Sequence, residues 1–128
     1  PGGSSKSTIV NTLRNMMGDY GKHMPAETLL AKKVDSSSSN DLARLKGARM
    51  VTAIETNFGR ELDEARIKAM TGGEPITARF LYHEYFEFLP EFKLWLVSNE
   101  YPKIRDTSEA FWRRVNVIPF AVVVPKAE

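Results

Sequence analysis

Residues 49–55 read Arg49-Met50-Val51-Thr52-Ala53-Ile54-Glu55. The run is β-rich and mostly apolar, and it stops on one carboxylate. Strands covered on both faces read this way, without polar alternation. Residues 93–99 repeat the design, with Leu94-Trp95-Leu96-Val97 at the centre and Asn99 at the end. Helical patterns surround these two strands. In Lys6–Met17, Ile9, Val10, Leu13, Met16 and Met17 fall on one predicted stripe. In Glu61–Met70, Leu62, Ala65, Ile67, Ala69 and Met70 supply the apolar positions. Val115–Phe120 reads as a third strand. Strands that alternate with helices and end on polar residues predict an α/β sheet with its working groups along the carboxyl edge.

The rest of the chain fills in around that frame. Gly18 is a helix stop, and residues 18–25, with two Gly and one Pro, read as loop. Thr28–Lys33 fits either a helix or a strand. Ser36–Ser39 reads as a flexible loop. Ser39 or Asn40 caps a short helix through Leu45, which Gly47 ends. Ile76–Leu81 and Tyr85–Leu89 form the arms of a hairpin that turns near Tyr82, His83 and Glu84. Tyr82, Tyr85, Phe86, Phe88 and Phe92 alternate as a half-buried strand does, which favours core packing over base stacking. Thr107 or Ser108 caps a helix through Trp112–Arg114.

The 128 residues suffice for one domain with a real core. The absence of Cys excludes disulfides and thiolate-bound metals. Two His are too few for a His-rich zinc site. The longest apolar runs fall far short of the roughly 20 residues of a membrane span, so no membrane partner is expected. Eighteen Lys and Arg against 16 Asp and Glu leave a net charge of +2. That excess is too small for a bulk polycation, so the placement of the charges matters more than their sum.

The chain starts on Pro1-Gly2-Gly3-Ser4-Ser5-Lys6-Ser7-Thr8. A Gly-rich turn that opens a helix presents backbone N–H groups and partial positive charge to phosphate. Lys6 and Ser7 fit the last pair of G-x-x-x-x-G-K-[ST], in which the Lys reaches the β/γ-phosphates and the Ser ligates Mg²⁺. Two elements depart from the pattern. The first Gly would precede Pro1, and Ser5 stands where the second Gly belongs. A linker ahead of an ordinary helix is the competing reading. Such a loop normally follows a strand, so a fragment of a larger protein, with its N-terminal strand missing, is expected.

Five ordered blocks carry a family likeness across nearly the whole chain. They are residues 2–8; Ala53-Ile54-Glu55-Thr56; residues 67–79 around Thr71-Gly72-Gly73; residues 93–99 with Pro102; and Phe111-Trp112-Arg113-Arg114 running into Val115–Phe120. In these blocks the chain resembles superfamily 3 helicases, the AAA+-related ATPase domain of phage and plasmid primase–helicases and their poxvirus relatives. The resemblance implies a P-loop NTPase fold, with a parallel sheet flanked by helices and a β-hairpin insertion. It makes residues 1–128 a helicase ATPase domain.

The resemblance also implies an activity and its residues. ATP, with Mg²⁺, would sit on Gly2, Gly3, Ser4, Ser5, Lys6, Ser7 and Thr8, and Ser7 and Glu55 would attend the metal. Glu55 is the Walker B acid, which holds Mg²⁺ through water or polarises the attacking water. The motif often carries two acids, and here Thr56 follows Glu55. Asn99 is the polar sensor. Arg114, or Arg113 beside it, reaches a neighbouring subunit's nucleotide. Lys68, Arg79 and His83 belong to the motif and hairpin that face single-stranded DNA. The expected assembly is a ring, hexameric by analogy, with replication proteins as further partners, in the cytoplasm of a bacterial host or at a viral replication site. Three plainer roles stay open. Glu55 caps a helix, Asn99 is a turn residue, and the arginines are helix C-terminal charges. The alternative function is a catalytically impaired nucleotide- or DNA-binding oligomerisation module, and a nucleotide kinase is a weaker third reading.

Overall fold

A computed structural model of the chain describes residues 4–31, 39–56, 59–105 and 108–125. Its centre is a three-stranded parallel sheet. β1 (Gly21–His23) and β5 (Lys93–Ser98) flank β2 (Met50–Glu55). In register, Met50 pairs with Gly21 on one side and Lys93 on the other, and Glu55 pairs with Ser98. The three strand starts are therefore level, and the carboxyl ends of β2 and β5 share one edge.

Strand alternation divides the packing. Val51 and Ala53 join Leu94 and Leu96 on the larger core, with Met24, Leu29, Leu45, Met70, Ile76, Phe88 and Phe92. Met50, Ile54, Trp95 and Val97 meet Val10 on the other face. Val10 belongs to α1 (Lys6–Met16) and is that helix's buried residue. The expected apolar stripe of α1 thus packs through Val10 alone: Ile9, Leu13 and Met16 are exposed. Arg14 replaces them as the anchor. Its Nη1 donates to the hydroxyl of Thr52 (2.8 Å), a fully buried position in β2.

α1 ends as Gly18 turns into the left-handed region (φ 57°). A 3₁₀ turn (Gly18–Tyr20) then leads directly into β1. The loop expected over residues 18–25 therefore contains an edge strand. Composition concealed it, because β1 is only three residues long and begins on a glycine. Gly21 is required by proximity. A Cβ there would lie 2.4 Å from the Arg14 carbonyl oxygen, so only glycine lets the strand pass under the helix.

Residues 28–33, open between helix and strand, begin in a 3₁₀ turn (Ala26–Leu29), and Leu30 bridges Leu62. Lys32 and Lys33 lie outside the described residues, as do Ser36–Ser38 and Thr107. α2 is Ser39–Ala43, and Gly47 closes its turn at φ 80°. α3 is Glu64–Thr71 rather than Glu61–Met70. The delay has a visible cause: residues 61–63 are already paired. Leu62 N donates to Lys103 O and Asp63 N to Leu29 O, while the Asp63 side chain caps α3 by accepting from Arg66 N (3.0 Å). The chain leaving β2 is thereby tied to the chain leaving β5.

The hairpin forms as expected, from β3 (Ile76–Ala78) antiparallel to β4 (Phe86–Phe88). α4 is Glu109–Trp112, capped by Ser108, whose side chain accepts from Phe111 N. The third strand expected at Val115–Phe120 is absent. Residues 115–125 have no regular structure, and Val117, Ile118 and Val122 are exposed. β-propensity describes a side chain's fit to a pleated, half-buried surface. Among the described residues this segment meets no strand to pair with. No helix among them is long and apolar enough to cross a membrane.

Candidate functional site at the carboxyl edge of the sheet

The C-terminal end of α1 fixes its direction. Val10 packs on the sheet among Met50, Ile54, Trp95 and Val97, and Arg14 reaches Thr52. The carbonyl of Arg14 stands over Gly21, at the start of β1. The helix therefore runs antiparallel to the strands, and its first turn lies toward their carboxyl edge. That brings Lys6 and Ser7 to the end of the sheet where Glu55 and Asn99 stand.

The loop before α1 is distinctive in its backbone. Ser5 occupies the N-cap with φ 66° and ψ 16°, in the left-handed region. A non-glycine residue there costs about 1 kcal/mol or more. Ser5 O accepts the first helical bond, from Ile9 N. Ser4 is buried, and its hydroxyl accepts from Lys6 Nζ (2.9 Å). The first turn of α1 has no acid of its own, and a helix start carries partial positive charge. Ser7 is half-buried and Thr8 exposed. Gly2 and Gly3 lie outside the described residues.

Glu55 closes β2 and is 7% exposed. It continues the parity of Val51 and Ala53, on the face of the larger core. Asn99 follows β5 directly, is exposed, and continues the parity of Trp95 and Val97, on the α1 face. The two groups thus approach the shared edge from opposite faces of adjacent strands. Ser98 shapes the turn beyond: its hydroxyl donates to Glu100 O and accepts from Glu100 N.

Among the described residues, no three His, Asp or Glu side chains gather as a cation cage. Ser7 carries a half-buried hydroxyl at the start of α1, and Glu55 a buried carboxylate at the end of β2.

The remaining candidates stand elsewhere. Lys68 is half-buried in the last turn of α3. Arg114 follows α4. Its Nη1 donates to Ala110 O (2.6 Å), and its Nη2 lies 3.8 Å from where a Cβ on Gly72 would be. It therefore rests beside the C-terminal end of α3. Arg113 is exposed. Arg79 and His83 are exposed on the hairpin. The aromatics expected in the core divide. Phe88 and Phe92 are buried and Phe86 half-buried, but Tyr85 and Tyr82 are exposed. Alternation failed at these two because the hairpin outruns the body it packs on.

One cluster left little signal in the sequence. Thr52 Oγ1 receives Arg14 and lies 3.2 Å from His23 Nδ1. Desolvation, and then the charges of Arg14 and Arg44, hold the His23 imidazole below its usual 6.5. A threonine inside an apolar strand is the only hint, since its hydroxyl must find a partner once buried.

Residues 1–114 match a family of unknown function, DUF5906. The chain is 39% identical over 120 residues to "Putative helicase L207/L206" of Acanthamoeba polyphaga mimivirus, covering 93% of this chain and 12% of that protein. It is 36% identical over 124 residues to "Putative helicase 022R" of Frog virus 3 (isolate Goorha), covering 92% and 13%. It is 27% identical over 124 residues to "Putative helicase 121R" of Invertebrate iridescent virus 3, covering 93% and 13%. The chain therefore spans about an eighth of the length of these relatives. It is similar to a region shared by viral proteins that carry helicase names.

Proposed function

The chain belongs to the DUF5906 family, and we propose that it forms part of the ATPase core of a superfamily 3 helicase. What supports this reading is that the start of α1 with Lys6, the buried carboxylate of Glu55 and the exposed Asn99 all lie toward the carboxyl edge of the sheet, Glu55 on one face and α1 and Asn99 on the other. In the proposed site, the first turn of α1 and Lys6 bind the phosphates of ATP. Ser7 and Glu55 hold Mg²⁺, which when bound neutralises phosphate charge. Glu55 also orients the attacking water, and Asn99 positions it without adding charge. Arg114 acts on a neighbouring subunit's nucleotide, with Arg113 as the nearby substitute, which requires a closed head-to-tail ring; by analogy that ring is hexameric. Lys68, Arg79 and His83 serve the side that meets single-stranded DNA, and replication proteins are further partners. The viral relatives favour a viral replication site over a phage or plasmid one.

Steady-state ATP turnover by the full chain tests the roles. Glu55→Gln keeps the size of the side chain and removes its charge. It is expected to lower turnover by about 10²–10⁴-fold while ATP still binds. Unchanged turnover in Glu55→Gln would remove Glu55 from the reaction.

The strained Ser5 and the lone acid at Glu55 favour a second reading, a nucleotide-binding module without turnover. In that case wild-type and Glu55→Gln bind ATP alike and neither hydrolyses it.

A further inference from the structure

His23 ends β1 in register with Thr52 of β2. Arg14 crosses to this pair over Gly21, and its Cγ lies 2.8 Å from where a Cβ on Gly21 would be. Its Nη1 donates to Thr52 Oγ1 (2.8 Å), and that hydroxyl lies 3.2 Å from His23 Nδ1 and 3.5 Å from Lys22 O. Thr52 accepts from Arg14, so its own proton is left to give. Given to Nδ1, the nearer acceptor, it leaves the ring proton on Nε2, the side of the ring away from Thr52. His23 is exposed, so a neutral ring offers a donor to solvent. The other N–H groups of Arg14 make no hydrogen bond among the described residues.

The charges that act on this ring have one sign. β1 packs on α1 and β2. α1 contributes Arg14, β2 the uncharged Thr52, and Arg44 adds a second guanidinium from the turn after α2. Lys22 faces the other side of the strand by alternation. Among the described residues, Arg49, Arg60, Arg66 and Arg105 each meet a carboxylate. Arg14 and Arg44 meet none there. Asp41, three residues before Arg44, accepts from the Thr28 hydroxyl instead (3.5 Å). Like charges held together repel, and an anion placed among them offsets that repulsion. A guanidinium fork beside an imidazole N–H suits the oxygens of a tetrahedral oxyanion. Two standing positive charges favour a dianion over a carboxylate.

We propose that Arg14, His23 and Arg44 form an oxyanion site for a phosphate-monoester dianion. The site goes beyond the ATP reading above. Arg14 lies eight residues after Lys6, about 12 Å along the helix. Protonation of His23 adds a third positive charge, so proton and anion bind with mutual reinforcement.

The test follows the two histidines of the full chain by NMR through a pH titration, in chloride and in sulfate at equal ionic strength. His23→Asn assigns the resonances. Sulfate is a tetrahedral dianion at every pH where His23 titrates. It is expected to raise the His23 midpoint by about one pH unit and to leave that of His83 unmoved. Arg44→Gln is expected to raise the midpoint in chloride, by removing a like charge, and to shrink the sulfate effect. Lys6→Ala is expected to retain that effect in full. Equal His23 midpoints in chloride and sulfate overturn the site, and so does an undiminished sulfate effect in Arg44→Gln. Loss of the effect in Lys6→Ala puts the anion at the start of α1 and overturns it as well. An equal rise at His83 is a bulk salt effect and does the same. Methyl sulfate carries one charge, as a nucleic-acid phosphodiester does, and a rise as large as with sulfate overturns the dianion assignment.

Discussion

Ser5 concentrates the cost of the loop in one residue. A side chain at φ 66° crowds its own backbone, and glycine does not. Ser5→Gly is therefore expected to raise unfolding stability by about 1 kcal/mol, read from urea denaturation. A loss of stability would show that the serine side chain contributes more than its backbone strain costs. The positions of Lys6 at the start of α1 and Glu55 at the end of β2 were legible, because each sits where a regular pattern ends: a glycine-rich turn, an apolar run. Tyr82 was not. Its alternation matched a core strand, and only the three-dimensional reach of the hairpin shows that no core lies beneath it.

At the scale of elements, the approach of α1 to β1 is the tightest joint. Gly21→Ala drives a methyl into the Arg14 carbonyl at 2.4 Å. Overpacking of this kind costs about 1–3 kcal/mol. The same joint aims the first turn of α1, so the variant is expected to weaken nucleotide binding as well as lower the thermal midpoint. A midpoint equal to wild-type would mean that helix and strand separate freely. β2 and β5 were readable almost to the residue, since strands packed on both faces, β2 buried and β5 half-buried, leave unbroken apolar runs. β1 was hidden by its length. Val115–Phe120 was misread for the opposite reason: it has the composition of a strand, but no strand pairs with it among the described residues.

Across the whole molecule, the Arg14–Thr52–His23 cluster links helix, central strand and edge strand, through contacts 38 and 29 residues apart in sequence. No local pattern encodes such pairs. The cluster also gives stability a pH dependence. The folded imidazole of His23 titrates below its unfolded value of 6.5, so the unfolded chain binds the extra proton first. The contribution is complete above pH 6.5 and is lost as pH falls from there toward the lowered folded value. Thermal midpoints measured downward from pH 7.5 are expected to fall more steeply for wild-type than for His23→Asn. Parallel curves would place the acid sensitivity in other groups.

The carboxyl edge of the sheet is the centre of the functional account, and the direct test is ATP binding. Isothermal titration of the full chain with ATP, with and without Mg²⁺, compares wild-type with Lys6→Ala. The account predicts saturable, Mg²⁺-strengthened binding by wild-type and its loss in a folded Lys6→Ala. Binding of equal strength in the two proteins, or none by wild-type, would contradict it.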